Sequence, residues 1–195
     1  MAAPTVTDAR DWLKGRSRWS PFEIAFWLAT LLPFFLFPTY LPLASQIAIT
    51  ALFAVSVDLV LGYAGIVTLG HAMFFGIGAY TAGIVSKYGW GEPLTGLAIA
   101  GTFAALVGYV ASFMIVRVQH LALLMITMGL CFLTYELANA MGWLTGGTDG
   151  LQGVDTWNVL GVFRFDLWGY TAYGYSLAAL FVGILLSRRL VNSSF

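Results

Sequence analysis

GYAGIVTLGHAMFFGIGAYTAG, residues 62–83, is a stretch with six glycines and no Asp, Glu, Lys or Arg. A membrane-spanning helix needs about 20 predominantly apolar residues to cross a hydrocarbon core of about 30 Å, and this stretch is long enough. On a helix, the small residues at positions 72, 76, 79 and 83 recur every three or four residues and therefore share one face. The stretch predicts a membrane helix that a neighbouring helix can approach closely.

The glycines of this stretch admit two interpretations, which the sequence leaves open. In the first, the small-residue face packs against another helix and gains van der Waals contact that lipid does not supply. In the second, Gly62 and Gly65 leave the chain partly unwound, as in the discontinuous helices beside transport pathways. The candidates for helix packing or for a hinge are Gly62, Gly65, Gly70, Ala72, Gly76, Gly78, Ala79 and Gly83.

The chain as a whole is too apolar for a water-soluble fold. Of its 195 residues, 59% are hydrophobic and 9% are charged, whereas a soluble domain carries about 25% charged residues. Backbone groups must be paired inside lipid, so the spans must be helices. We predict an all-α, polytopic transmembrane bundle of about six spans, at residues 22–41, 44–61, 68–86, 94–116, 121–142 and 170–186.

Basic residues indicate the orientation, because loops rich in Lys and Arg tend to stay cytoplasmic. Lys87 and Arg164 fall on one predicted face and the other seven basic residues on the opposite face, so both termini are predicted to be cytoplasmic. The connection at residues 144–169, with three Asp residues and two Trp residues, would then be external. The seven are Arg10, Lys14, Arg16, Arg18, Arg117, Arg188 and Arg189.

Pro33 and Pro38 lie inside the first predicted span. A proline removes a backbone donor and can kink a helix. A tolerated bend and a functional hinge are both compatible with the sequence, since membrane helices accept proline.

Asp58 and Glu136 are ionisable residues inside predicted spans. A charged side chain at the centre of a span costs about 2.5–3.5 kcal/mol on insertion scales, so each is expected to face protein or water. Structural hydrogen bonding and a role in a transport path are both open for them. His71 is interpreted as a hydrogen-bonded residue at a helix end in preference to a proton relay. The candidates for a pathway or for buried polar contacts are Asp58, His71, Glu136 and Asn139.

No arrangement of residues suggests catalysis. The chain contains no G-x-x-x-x-G-K-[ST] phosphate loop and no nucleophile beside a base. His71 and His120 are its two histidines, too few for a metal site without clustered acids or cysteines. The balance of nine basic and nine acidic residues gives no reason to expect a nucleic acid partner. We expect no enzyme activity, no cofactor and no metal in this chain; if ATP drives transport, another subunit binds the ATP.

Two further stretches follow the glycine-rich one: LALLMITMG at residues 121–129 and LTGGTDGLQGV at residues 144–154. The three together, in this order, resemble the membrane permeases of branched-chain amino acid ABC importers. The resemblance implies a second, related permease subunit, two cytoplasmic ATP-binding subunits and a soluble substrate-binding protein, at the inner membrane of a prokaryote. It implies leucine, isoleucine or valine as cargo, although relatives also carry urea, short amides and other amino acids.

The placement of charge and the same resemblance together predict how the chain is divided. Residues 1–20 would form a cytoplasmic segment and residues 21–195 the transmembrane permease domain. NSSF at residues 192–195 resembles the start of the cytoplasmic loop that docks on the ATPase, so the domain is expected to be incomplete. Two other functions stay open: a self-sufficient channel for a small neutral solute such as urea, and a non-transporting membrane subunit.

Overall fold

The computed structural model describes residues 21–65, 67–118, 121–159 and 169–192. Over these ranges the chain is helical and contains no β-strand, so the predicted all-α polytopic bundle is confirmed. Two 3-10 turns, Pro38–Tyr40 and Gly147–Asp149, accompany the helices. The helices are α1 Pro21–Ala29, α2 Leu32–Leu36, α3 Leu41–Ala64, α4 His71–Lys87, α5 Pro93–Ile115, α6 Leu121–Ala140, α7 Gly142–Thr145 and α8 Tyr170–Asn192.

Four helical segments within the described ranges are long and apolar enough to cross a membrane. They are Pro38–Tyr63, Pro93–Ile115, Leu121–Ala140 and Tyr170–Val191. Helix α4 has 17 residues and rises about 26 Å at 1.5 Å per residue, slightly less than the hydrocarbon thickness. Ala25–Leu36 is a shorter apolar segment. The six predicted spans therefore correspond to four full-length helices, one slightly short helix and one interrupted segment.

The first predicted span, residues 22–41, is not one helix, and its two prolines explain why. Pro33 has no N–H to donate to the carbonyl of Ala29, and α1 ends at Ala29. Phe37, which precedes Pro38, has φ −140° and ψ 65°, because a following proline ring disfavours the helical conformation. The prediction of a continuous span is wrong here: the segment is two short helices and a 3-10 turn.

Helices α1, α3 and α8 pack together. Gly169, beside the start of α8, lies close to the start of α3, since a Cβ atom on Gly169 would lie 3.2 Å from Pro42 Cδ. Further along the two helices, Gly183 of α8 approaches Leu52 of α3. Helices α3 and α8 therefore run parallel. Helix α1 runs the opposite way, since Thr30 accepts a hydrogen bond of 2.6 Å from the Tyr173 hydroxyl while the earlier Trp27 ring lies 5.0 Å from that of Phe181.

Helices α4 and α5 form an antiparallel hairpin, and α6 runs parallel to α4. Phe74 near the start of α4 lies against Gly108 near the end of α5. The two groups of helices touch at Phe53 and Phe75, whose ring centroids are 5.3 Å apart. They also touch where the Tyr175 hydroxyl donates to the Pro93 carbonyl at 3.2 Å.

The packing gives the described part of the molecule two distinct ends. At the connection end, defined by the loop of residues 144–159, Trp157 donates its N–H to the Gly91 carbonyl at 2.8 Å. At the junction end, defined by Gly65 and residues 67–70 between α3 and α4, Gly70 lies against Thr127 of α6. Successive long segments run in alternating directions between these ends, as a chain that crosses a membrane repeatedly must.

Candidate functional site

The chain between α3 and α4 leaves the helical conformation at the junction end. Helix α3 stops at Ala64 because Gly65 adopts the left-handed conformation, with φ 64° and ψ 17°, which glycine tolerates and which ends many helices. Helix α4 begins at His71. Of the two glycines at which one interpretation of the sequence unwinds the chain, Gly65 lies at the break, whereas Gly62 lies within α3.

Thr127 of α6 holds this non-helical segment in place. It is 1% exposed, and its Oγ1 accepts a hydrogen bond of 3.2 Å from the N–H of Leu69 while donating to the Leu123 carbonyl at 2.8 Å. A Cβ atom on Gly70 would lie 3.4 Å from Thr127 Cβ, so glycine lets the backbone come this close. The contact gives the Leu69 N–H, which lies outside any helix, a hydrogen-bond partner.

Sequence reasoning missed Thr127 as a residue that holds the junction. The available signal was a hydroxyl in the otherwise apolar stretch LALLMITMG, residues 121–129. A threonine hydroxyl in a helix can bond its own preceding turn, as Thr134 does with the Leu130 carbonyl at 2.9 Å. The sequence therefore does not distinguish the bridging threonine from an ordinary one.

His71 begins α4 and is half-buried beside Thr68. Its Nδ1 lies 3.2 Å from Thr68 Oγ1, which also accepts the N–H of Gly70 at 3.3 Å. The histidine thus belongs to the hydrogen-bonded start of the helix. Within the described ranges no hydrogen bond or ion pair joins it to Asp58 or Glu136.

The small-residue face of α4 is open along most of its length. A Cβ atom on Gly76 would have nothing within 4 Å, and Ala72 and Ala79 are exposed. Gly78, on another side of α4, also has open space at its Cβ position. Helix α5 packs on another side of α4, where a Cβ atom on Gly108 would lie 3.4 Å from the Phe74 ring. No helix that the structure describes therefore packs against this part of the face.

At its last turn the same face of α4 is covered by the connection. A Cβ atom on Gly83 would lie 2.5 Å from Leu151 Cδ2 and 3.9 Å from Val154 Cγ2. The covering loop is anchored by Thr145, a buried residue whose hydroxyl donates to the Ala138 and Met141 carbonyls at 2.5 and 2.9 Å. The TGGTDGL stretch is thus a turn that folds the chain back over the end of α4.

The three remaining polar candidates lie apart from one another. Asp58 is exposed on α3, with its Oδ1 3.9 Å from where a Cβ atom on Gly62 would be. Glu136 is exposed on α6, and Asn139 is half-buried one turn later. Asp58, His71 and Glu136 therefore do not form a single cluster. The described residues also include no group of three His, Cys, Asp or Glu side chains that could hold a metal ion.

Comparisons with known proteins support the interpretation as a transport protein. Residues 39–195 match the family model described as the permease component of the branched-chain amino acid transport system. The high-affinity branched-chain amino acid transport system permease protein LivM of Escherichia coli (strain K12) is 29% identical over 125 residues, which cover 64% of this chain and 29% of that protein. LivM of Salmonella typhimurium is 26% identical over the same shares. The match spans less than a third of these relatives' length, and no solved structure matches the chain significantly.

Proposed function

The chain belongs to the family of branched-chain amino acid transport system permease components, and we propose that it works as a membrane permease subunit of an ATP-driven importer for branched-chain or related amino acids. The observation that carries the proposal is the family match over residues 39–195. Family membership predicted from the three sequence stretches is confirmed. The family match and the apolar helices both support a multi-pass membrane protein with a role in transport.

The α3–α4 junction supports a transport path beside α4. Discontinuous helices in transporters bring backbone groups to the path while neighbouring protein satisfies their hydrogen bonds. The Leu69 N–H bonded to Thr127 is a contact of that kind. We assign the open small-residue face of α4 to the wall of the path, because a face without bulk lets a neighbouring helix approach and move.

The polar candidates would serve the path at different depths. Asp58 and His71 lie toward the junction end of the path, and Glu136 and Asn139 toward the connection end. Charged side chains in membrane helices face protein or water, which supports a place near the path or an interface for both acids.

The distribution of charge supports an orientation. Among described residues, Arg117, Arg188 and Arg189 lie at the junction end, whereas Lys87, Glu92, Asp149 and Asp155 lie at the connection end. By the tendency of basic loops to stay inside, the junction end is cytoplasmic. The two ATP-binding subunits would then meet the junction end and the soluble substrate-binding protein the connection end, in the inner membrane of a prokaryote.

In this proposal residues 1–20 form the cytoplasmic N-terminal segment and residues 21–195 belong to the transmembrane permease domain. The chain carries no phosphate-binding loop, so ATP hydrolysis belongs to the partner subunits. A second, related permease subunit completes the membrane part.

The proposal is tested by reconstitution in proteoliposomes. The full-length subunit is combined with its second permease, the ATP-binding subunits and the substrate-binding protein, and uptake of radiolabelled leucine is measured. We expect uptake only when two conditions are met. ATP must be present on the side of the membrane where the ATP-binding subunits sit, and the substrate-binding protein must be present on the opposite side. Leucine uptake that is unaffected by omitting this chain would overturn the proposal, and urea flux through this chain alone, without ATP, would favour a channel.

A further inference from the structure

The connection crosses the last turn of α4 as a stretch of chain that is fixed at both of its ends. We call this stretch, residues 146–157, the strap. Its first end follows Thr145, a buried residue whose hydroxyl donates to two backbone carbonyls at the end of α6. A Cβ atom on Gly146 would overlap the Gly150 carbonyl, so the chain forms a tight turn directly after this anchor.

The second end of the strap is fixed to the turn between α4 and α5. The Ser86 hydroxyl donates to the Asp155 carbonyl at 2.5 Å, and the Trp157 N–H donates to the Gly91 carbonyl at 2.8 Å. A Cβ atom on Gly91 would overlap the Asp155 carbonyl oxygen, so glycine is what lets the two backbones pair this closely. The Trp90 and Trp157 ring centroids, 6.4 Å apart, add an aromatic contact at the same place.

Between these two anchors the strap rests on α4 through apolar side chains. A Cβ atom on Gly83 would lie 2.5 Å from Leu151 Cδ2 and 3.9 Å from Val154 Cγ2. Residues 151–154 form no hydrogen bond with any residue that the structure describes. Lifting the middle of the strap from α4 therefore breaks apolar contacts and none of the hydrogen bonds that hold its ends.

The residues that flank Leu151 allow such a movement. Gly150 has φ 74° and ψ 170°, and Gly153 has φ 75°. Both conformations favour glycine, which has no Cβ atom and changes its backbone angles at little steric cost. Hinges of loops that open and close over a path are a few residues that absorb such changes. Leu151 is therefore carried on a short segment with a hinge on each side.

We propose that Leu151 is the gate of the transport path at the connection end. The structure has the gate closed, with Leu151 seated on Gly83 at the last turn of the small-residue face of α4. Changes of the backbone angles at Gly150 and Gly153 lift Leu151 from this seat and open the path, while the anchors of the strap stay in place. The proposal rests on the proposed function, since it takes the path beside α4 from there.

The position of the cover fits a gate better than general packing of a loop on a helix. Gly76, two turns before Gly83, has nothing within 4 Å of its Cβ position, so the cover is confined to one end of the face. Alternating access requires that the two ends of a path are not open together. An apolar side chain on a glycine seat closes one end without placing a charge or a fixed polar group in the way of the solute.

Linking Leu151 to its seat tests whether the strap has to move. Gly83→Cys and Leu151→Cys are combined in the full-length subunit, with Cys131 replaced by alanine, and a short bis-methanethiosulfonate reagent joins the two cysteines. Leucine uptake by the reconstituted importer is measured before linking, after linking and after cleavage of the link with dithiothreitol. We expect uptake to be lost on linking and restored on cleavage, because a linked strap stays on α4.

The matched control links an anchor of the strap. Ser86→Cys and Asp155→Cys are joined by the same reagent, and the link takes the place of the Ser86 hydrogen bond. We expect uptake to persist with this link, since the anchor does not move. Uptake that persists with positions 83 and 151 linked, with the link verified by mass spectrometry, overturns the proposal. Equal loss of uptake with both links also overturns it.

Shortening the side chain of Leu151 tests whether it closes the path. With Leu151→Ala the connection end stays open, so we expect leucine preloaded into the proteoliposomes to be lost without ATP. Leu151→Met keeps an apolar side chain of similar size, and Val154→Ala removes the neighbouring apolar contact; we expect both to retain the leucine. A role in stability alone predicts no leak. Retention of leucine by a fully assembled Leu151→Ala importer, or an equal leak with Val154→Ala, overturns the gate.

The gate and the proposed function fail in different measurements. ATP-dependent leucine uptake that is indifferent to the link between positions 83 and 151 overturns the gate and leaves the proposed function standing. Absence of ATP-dependent uptake by the unmodified importer overturns the proposed function, and the gate with it, because no path then remains for Leu151 to close.

Discussion

The hydroxyl of Thr127 joins two parts of the chain that are far apart in sequence. It accepts the Leu69 N–H across 58 positions and is buried against Gly70. Threonine suits this position because its hydroxyl can donate to its own helix and accept from a neighbour at the same time. One side chain of α6 therefore anchors the non-helical α3–α4 junction at Leu69.

Thr127→Val tests this dependence, because valine keeps the shape of threonine and removes the acceptor. We expect the folded state to lose about 1 kcal/mol, because the partly buried Leu69 N–H loses its partner. The measurement is thermal unfolding of the purified subunit in detergent. Thr134→Val is the matched control, since the Thr134 hydroxyl bonds only within α6 among the contacts described; equal losses in both variants would contradict a special role for Thr127.

The small-residue face of α4 contains two glycines with different surroundings. Gly83 is covered by Leu151, whereas Gly76 has nothing near its Cβ position. Gly83→Leu is expected to destabilise the subunit by about 1–3 kcal/mol through overpacking. Gly76→Leu is expected not to lower the thermal stability of the isolated subunit, since Gly76 is helical with open space at its Cβ position, and to impair assembly or uptake in the full-length importer.

Uptake and copurification of the partners are measured for both variants alongside thermal unfolding. The informative result is a difference between the Gly83→Leu and Gly76→Leu variants in these measurements. Such a difference separates packing within the chain from packing between chains. Normal assembly together with normal uptake in Gly76→Leu would remove the reason to place this face beside the path.

At the scale of elements, the end of α3 is set by a single left-handed residue. Gly65 has φ 64°, a conformation that costs a residue with a Cβ atom about 1–2 kcal/mol. The break it creates separates α3 from α4, and Leu69 and Gly70 beyond it contact Thr127 of α6. Without it, α3 would continue beyond Ala64 and the Leu69 N–H would bond within the helix.

Substituting the two neighbouring glycines should have opposite effects. Gly65→Ala is expected to destabilise the subunit by about 1–2 kcal/mol. Gly62→Ala is expected to stabilise it by about 0.5–1 kcal/mol, since Gly62 is helical and its Cβ would make only an ordinary contact of 3.9 Å with Asp58 Oδ1. Thermal unfolding of both variants checks the sign, and stabilisation by Gly65→Ala would mean that the helix does not end there.

Prolines interrupt the first apolar segment of the chain, which contains helices α1 and α2. Helix α1 ends four residues before Pro33, and Phe37 leaves the helical conformation before Pro38, so α1 and α2 stay short where the hydrophobic pattern alone predicts one span. Their place is set by aromatic contacts with α8, including the Phe34 and Tyr173 rings 4.8 Å apart. Aromatic pairs of this kind contribute about 0.5–1.5 kcal/mol beyond their buried area.

At the scale of the whole molecule, the alternating directions of the helices place the loops at two ends with different charge. The orientation is checked by labelling single cysteines with a membrane-impermeant thiol reagent, after replacement of Cys131 by alanine. In intact cells we expect Tyr88→Cys and Asp149→Cys at the connection end to be labelled. Arg117→Cys and Arg189→Cys at the junction end should be labelled only after the membrane is permeabilised.

The labelling pattern has two informative alternatives. A reversed pattern would invert the proposed orientation while preserving the crossings. Labelling of both ends from the same side would contradict a chain that passes repeatedly from one end to the other.

The amino-acid sequence by itself determined that the chain is a bundle of membrane helices. Low charge, long apolar runs and the need to pair backbone groups in lipid are properties of each segment alone, so they can be read without the fold. Membership of the permease family also followed from local stretches and is confirmed. The break before Pro38 was within reach of the sequence, because proline acts on its immediate neighbours.

Only the tertiary structure decided which helices pack together and which faces they leave open. The parallel course of α3 and α8, the bond from Leu69 to Thr127 and the cover of Leu151 over Gly83 all join residues distant in sequence. The exposure of Glu136 likewise depends on which side of α6 packs inward. A membrane helix is apolar on every side, so its hydrophobic pattern does not mark the packed face as it does in a soluble protein.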